Sequence, residues 1–139
     1  MNASILYRIA SVLLLLFAVG HTVGFLQIDP KWGVDAMIKE MQSIRFGVLG
    51  SNRTYWDFYV GFGLFVSVFL VFLAVLTWQL SSLPAATLAS MRGTAWSLVI
   101  CFGVVSILSL RYFFIIPIVF SILVLLCLTS AAWLSAKPT

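Results

Sequence analysis

Long apolar runs divide this chain: residues 9 to 28, 55 to 80, 89 to 110 and 113 to 134 carry almost no charge. Each meets the roughly 20 residues needed to cross a hydrocarbon core of about 30 Å. Backbone groups in lipid must be paired within the segment, and no strand-like alternation runs through these stretches, so they predict helices rather than a barrel. Between the first and second runs the pattern changes. Val34, Met37, Ile38, Met41, Ile44 and Val48 recur at three- and four-residue steps, with Asp35, Lys39, Gln42 and Ser43 between them. That spacing predicts a one-faced helix of about four turns over residues 34 to 49, too short to span, lying at the interface or across the bundle mouth. Asp29 before Pro30 is its start signal, Asp35 and Lys39 form an acid-before-base pair, and Gly47 and Gly50 mark its end. A solvated linker with an accidental apolar face is the competing reading. The expected fold is an all-α membrane protein: one domain, an antiparallel bundle of four transmembrane helices, with an amphipathic interfacial helix between the first and second.

Composition agrees with the pattern. Of 139 residues 63% are hydrophobic and 9% charged, whereas a soluble domain carries about 25% charged residues. The net charge of +4 suits a surface bordered by anionic membrane lipid. Basic residues are neither dense nor interleaved with aromatics, which excludes a nucleic-acid surface. Arg8, the run "IASVLLLLFAV" and the small residues of "AVG" also resemble a secretory signal, but "VGFL" extends the apolar run past the supposed cut. Cys101 and Cys127 fall at depths about 7 Å apart on antiparallel helices, too offset for a disulfide, and read as small packing residues. Lys31, Lys39, Arg45, Arg53 and Arg111 fall on one side of a four-span chain, and Arg8, Arg92 and Lys137 on the other. The excess places the long connection in the cytoplasm.

All four carboxylate side chains, Asp29, Asp35, Glu40 and Asp57, lie between positions 29 and 57. Antiparallel threading brings this segment to the face that also receives the end of the first span and the turn at Arg111 and Tyr112. His21, the only histidine, sits in "AVGHTVGF" seven residues from the end of that span, roughly 10 Å inside. An ionisable group in a spanning helix is a functional hypothesis that needs a partner; Asp57, Arg111 or a tyrosine hydroxyl such as Tyr59 are the candidates. The structural alternative is an imidazole bonded to a neighbouring carbonyl or hydroxyl as packing glue, and Gly20 and Gly24 beside it favour a close helix approach. Asp57 has its own alternative, since "TYWD" is a capping-box sequence before an apolar run. Gly61, Gly63 and Ser67 give the second span a small-residue face, and Gly93, Ser97 and Cys101 the third. Such faces suit a homo-oligomer or a membrane partner. Pro117 either kinks the fourth span or sits in its unbonded first turn.

Gly-His-Thr at Gly20 to Thr22 and the run "GSNRTYWDFYVGFG" from Gly50 to Gly63 resemble a family of small, uncharacterised four-helix bacterial integral membrane proteins. The resemblance extends over most of the chain. It implies a multi-pass protein of the bacterial inner (cytoplasmic) membrane and carries over no activity and no cofactor.

Three functions compete. In the first, His21, Arg53, Asp57, Tyr59 and Arg111 line a ligand-binding bundle mouth for a lipid, quinone or similar small amphiphile, or for a membrane partner, beneath the interfacial helix. In the second, His21 is the acid/base of a membrane enzyme with Asp57 orienting it. No nucleophile motif accompanies it, and no second histidine offers a metal or haem site. In the third, a small transporter couples proton and substrate movement, but no carboxylate lies near a span's midpoint. The threading predicts that reporter fusions at residue 2 and after Thr139 read the same compartment, and that cysteine labelling at residue 40 reads the opposite one; termini on opposite sides would overturn the span count.

Overall fold

The structure, a computed structural model, describes residues 2–135; Lys137, one of the charges counted above, lies outside them. Four helices are long and apolar enough to cross a membrane: α1 (Ala3–Leu26), α3 (Tyr55–Ser81), α5 (Arg92–Tyr112) and α6 (Ile115–Ser135). Shorter elements join them: α2 (Asp35–Ser43), the strands β1 (Arg45–Val48) and β2 (Ser51–Thr54), and α4 (Ala85–Ser90). The chain is an all-α, multi-pass membrane protein with one small hairpin.

Contacts sort the residues into two compact units, one holding those up to Phe17 together with those from Leu70 onward, the other Ala18–Phe69. The first contains nearly all of the core. Its helices bury single stripes at three- and four-residue spacing: Leu6, Tyr7, Ala10 and Leu14 on α1; Leu70, Ala74, Thr77 and Leu80 on α3; Ala95, Leu98 and Phe102 on α5; Val124, Leu128 and Ala131 on α6. Their remaining faces present apolar side chains outward, as a lipid-facing helix must. Two side chains of α1 bond to carbonyls of α3 running the other way: Ser4 Oγ donates to Ser81 O, and Ser11 Oγ to Ala74 O at 2.7 Å. Arg8 lies 5.7 Å over the Trp78 ring, an aromatic cover for a cation at a span's end. The first span therefore begins at Ala3 rather than residue 9, because this amphipathic first turn is packed. Pro117 is the third residue of α6 and leaves the helix unbroken to Ser135, since a first-turn amide has no intrahelical acceptor to lose. Cys101 and Cys127 are both free thiols.

The second unit departs from the expected four-turn helix over residues 34 to 49. Asp29 and Pro30 start a separate 3-10 turn, Pro30–Trp32, in which the Asp29 side chain accepts from Lys31 N at 2.9 Å and Gly33 closes at φ 64°. α2 then runs only from Asp35 to Ser43. Beyond it, Ile44, Phe46 and Val48 alternate with Arg45 and Gly47, a period-two pattern that Ile44 and Val48 also share with the helical one. The tie is broken by Leu49 and Gly50 at φ 50° and 80°, the two positive-φ residues of a tight hairpin turn. It pairs Arg45 with Thr54, Phe46 with Arg53 and Val48 with Ser51 in antiparallel register. The hairpin thereby delivers Thr54 to the first turn of α3. Gly50→Val should cost about 1–2 kcal/mol of local stability and speed amide exchange from Arg45 to Thr54 while leaving α5 and α6 protected; unchanged hairpin exchange would contradict this account of the turn.

Candidate functional site and its surroundings

The first turn of α3 is closed by a reciprocal pair. Thr54 N donates to Asp57 Oδ2 at 2.8 Å, and Asp57 N donates to Thr54 Oγ1 at 3.1 Å. This satisfies two amides that the helix itself leaves open. The carboxylate also sits at the positive end of the helix dipole, with Arg53 and Arg45 supplying positive charge nearby. Asp57 is exposed and directed back along the chain, not toward His21.

Two turns deeper, His21 Nε2 donates to Gly63 O at 3.1 Å. A carbonyl can only accept, so Nε2 carries the proton. The same carbonyl receives the Ser67 hydroxyl at 3.2 Å, and Thr22 Oγ1 donates either to Ser67 Oγ or to Ala18 O, both at 2.7 Å. Imidazole, serine and threonine thus form one hydrogen-bonded network between α1 and α3. The His21 ring lies 5.2 Å from Phe25, and Phe25 meets Tyr59 edge-on at 6.2 Å. Tyr59 in turn donates its hydroxyl to Phe25 O at 3.0 Å. A Cβ added to Gly63 would lie 2.6–2.8 Å from the Phe25 ring, so glycine is what lets that ring sit against α3.

The expected members of the site fall in different places. His21 and Tyr59 belong to one aromatic chain through Phe25. Arg53 and Asp57 stand at the hairpin and the first turn of α3. Arg111 lies in the last turn of α5, in the other unit, its guanidinium 5.5 Å over the Tyr112 ring. The partner of His21 that the sequence does not spell out is a backbone carbonyl. Of the small residues, only Gly63 and Ser67 make close contacts of this kind; at Gly20, Gly24, Gly61 and Gly93 an added Cβ meets nothing within 4 Å, and Ser97 and Cys101 are exposed. Among the described residues no group of three histidine, cysteine or carboxylate side chains could hold a metal.

Hollows open in this unit beside α2 and on α3. Beside α2 is a cleft of about 210 Å³, lined by Met37, Ile38 and Met41 of that helix together with Trp32, Trp56, Tyr59 and Gln27. On α3 a more open groove of about 370 Å³ runs from Arg53 and Asp57 along Gly61 to Phe65. The two share no lining residue. No protein-family model, curated protein or solved structure matches the chain, so the geometry alone carries the functional reading.

Gly63→Ala should force Phe25 away, unseating His21 and Tyr59, and cost about 1–3 kcal/mol as an overpacked contact. Gly61→Ala, with open space around it, should be neutral or slightly stabilising through helix propensity. Unfolding of both variants in lipid bicelles checks this, and equal behaviour would contradict the packing described.

Proposed function

We propose that this multi-pass membrane protein binds a ring-bearing amphiphile of the quinone type in the cleft beside α2, and that it does so in a bacterial cytoplasmic membrane as a member of the small four-helix family it resembles. One observation carries the reading. α2 buries none of its residues, yet Met37, Ile38 and Met41 form a continuous apolar face that opens on an aromatic wall instead of a packed core. Methionine thioethers adapt to irregular guests and make favourable contacts with ring edges. Trp32, Trp56 and Tyr59 offer flat surfaces for a planar head, and the Gln27 side-chain amide supplies a donor for a carbonyl oxygen. A largely apolar hollow with a few polar groups at its edge is the common form of a small-molecule site.

In this reading His21 positions rather than reacts. Its bond to Gly63 O and its contact with Phe25 fix the end of α1, and Phe25 O holds the Tyr59 hydroxyl. The wall of the cleft depends on that chain of contacts. The enzyme reading asks for Asp57 on His21, whereas His21 Nε2 bonds to Gly63 O and Asp57 accepts from Thr54 N at the start of α3.

Titration with a short-chain benzoquinone should quench tryptophan fluorescence saturably. The quenching should disappear in the Trp32→Phe, Trp56→Phe double variant, although three other tryptophans remain. Met41→Glu, which places a carboxylate in the cleft without disturbing a buried residue, should weaken binding at least about tenfold. Saturable quenching that survives both changes would overturn the site.

A further inference from the structure

We propose that the groove on α3 is a binding site for a phospholipid whose headgroup carries both a phosphate and a primary ammonium, as in phosphatidylethanolamine. The groove is separate from the cleft beside α2, and the proposal stands without that reading. Its depth profile matches a lipid. At 27 residues α3 is about 40 Å long, some 10 Å more than a hydrocarbon core. Centred on that core, its first three or four residues lie at headgroup level, as Tyr55 and Trp56 in a membrane-interface position also suggest. Arg53 and Asp57 therefore flank the headgroup layer. Gly61 and Phe65, about 6 and 12 Å further along the helix, lie in the acyl layer.

Shape and chemistry follow the same axis. Nothing stands within 4 Å of where a Gly61 Cβ would be, so the helix surface is indented there, and Phe58, Phe62 and Phe65 rise beside the indentation. A single acyl chain fits such a channel better than a rigid ring does. At the head end Arg53 uses Nη1 on Asn52 O at 2.9 Å, and among the described residues its Nε and Nη2 have no acceptor. Those two donors have the fork geometry that binds phosphate. Asp57 Oδ2 accepts from Thr54 N, and the Thr54 hydroxyl also lies within reach of the carboxylate, whose exposed face has room for one further donor. A primary ammonium supplies one. Phosphatidylcholine has no N–H to donate, and phosphatidylglycerol would set its phosphate near the Asp57 carboxylate with no cation of its own to offset it. Among the residues lining the groove one cation, Arg53, and one anion, Asp57, meet at its mouth, with Arg45 further off, and that pairing selects a zwitterion with N–H donors.

The full chain, reconstituted in nanodiscs of equimolar phosphatidylethanolamine, phosphatidylglycerol and phosphatidylcholine with matched acyl chains and released for native mass spectrometry, should retain phosphatidylethanolamine about tenfold over either competitor, the scale of one charge-assisted hydrogen bond. Asp57→Asn keeps an acceptor for Thr54 N and should bring the preference over phosphatidylcholine close to one. Arg53→Gln should lower retention of all three lipids. Gly61→Leu should remove the retained lipid by filling the channel, with helix content unchanged; if that variant does not fold, the Asp57→Asn selectivity decides. Equal retention of phosphatidylethanolamine and phosphatidylcholine by the wild type, or a preference untouched by Asp57→Asn, overturns the proposal, and a preference for phosphatidylglycerol assigns the groove to anionic lipid instead.

Discussion

A side-chain donor in a spanning helix gains most from an acceptor that needs no water, and in this protein three donors of α1 find theirs on the backbone of α3. Ser4, Ser11 and His21 each reach a carbonyl, of Ser81, Ala74 and Gly63 respectively. A helical carbonyl that accepts from the amide four residues on keeps a second lone pair, shared at Gly63 with the Ser67 hydroxyl and at Ala74 with that of Thr77, whereas Ser81 ends α3 and its carbonyl has no such amide. Using these lone pairs leaves α3 intact while tying it to α1. Each such bond between membrane helices is worth only about 0.6 kcal/mol on average. Their effect is to fix register more than to add stability. The imidazole bond has the most neighbours, because the His21 ring lies against Phe25, whose ring meets Tyr59 and whose carbonyl accepts the Tyr59 hydroxyl.

The distribution of the core explains where ligands are to be sought. In the unit built from the start of α1, the end of α3 and helices α4 to α6, buried stripes meet and large side chains such as Tyr7, Leu14, Phe102 and Leu128 are almost wholly enclosed. In the unit from Ala18 to Phe69 the buried residues are Ala18, Thr54 and Ser67. α2 and the hairpin are too short and too polar to pack a core of their own. Their apolar side chains Met37, Ile44 and Val48 stay exposed, and open apolar surface of this kind marks where a partner or ligand is to be looked for.

The four spans were readable because apolar length is a direct physical requirement for crossing lipid, and the cap at Thr54 and Asp57 because it depends on a fixed local spacing. The hairpin was not, since Ile44 and Val48 fit a period of two as well as one of 3.6. What decided it was a positive φ at Leu49, a residue whose side chain gives no hint of that conformation. The glycines mislead in another way. A small residue states what is able to approach a helix, and Gly63 meets the Phe25 ring while Gly20, Gly24 and Gly61 meet nothing within 4 Å. His21 was recognisable as a polar group needing a partner, but that partner is a main-chain carbonyl, which every residue possesses and no letter of the sequence distinguishes.

The contact between α1 and α3 beside Phe25 centres on His21 Nε2 donating to Gly63 O. Because the chain has a single histidine, its imidazole nitrogens can be observed without ambiguity by nitrogen-15 NMR of the ring-labelled protein in lipid nanodiscs. The structure requires a protonated Nε2 whose signal shows a hydrogen bond to a carbonyl and which shifts in Gly63→Ala, where Phe25 and the ring are displaced. A ring protonated only at Nδ1, or an Nε2 signal indifferent to Gly63→Ala, would contradict the arrangement from which the rest follows.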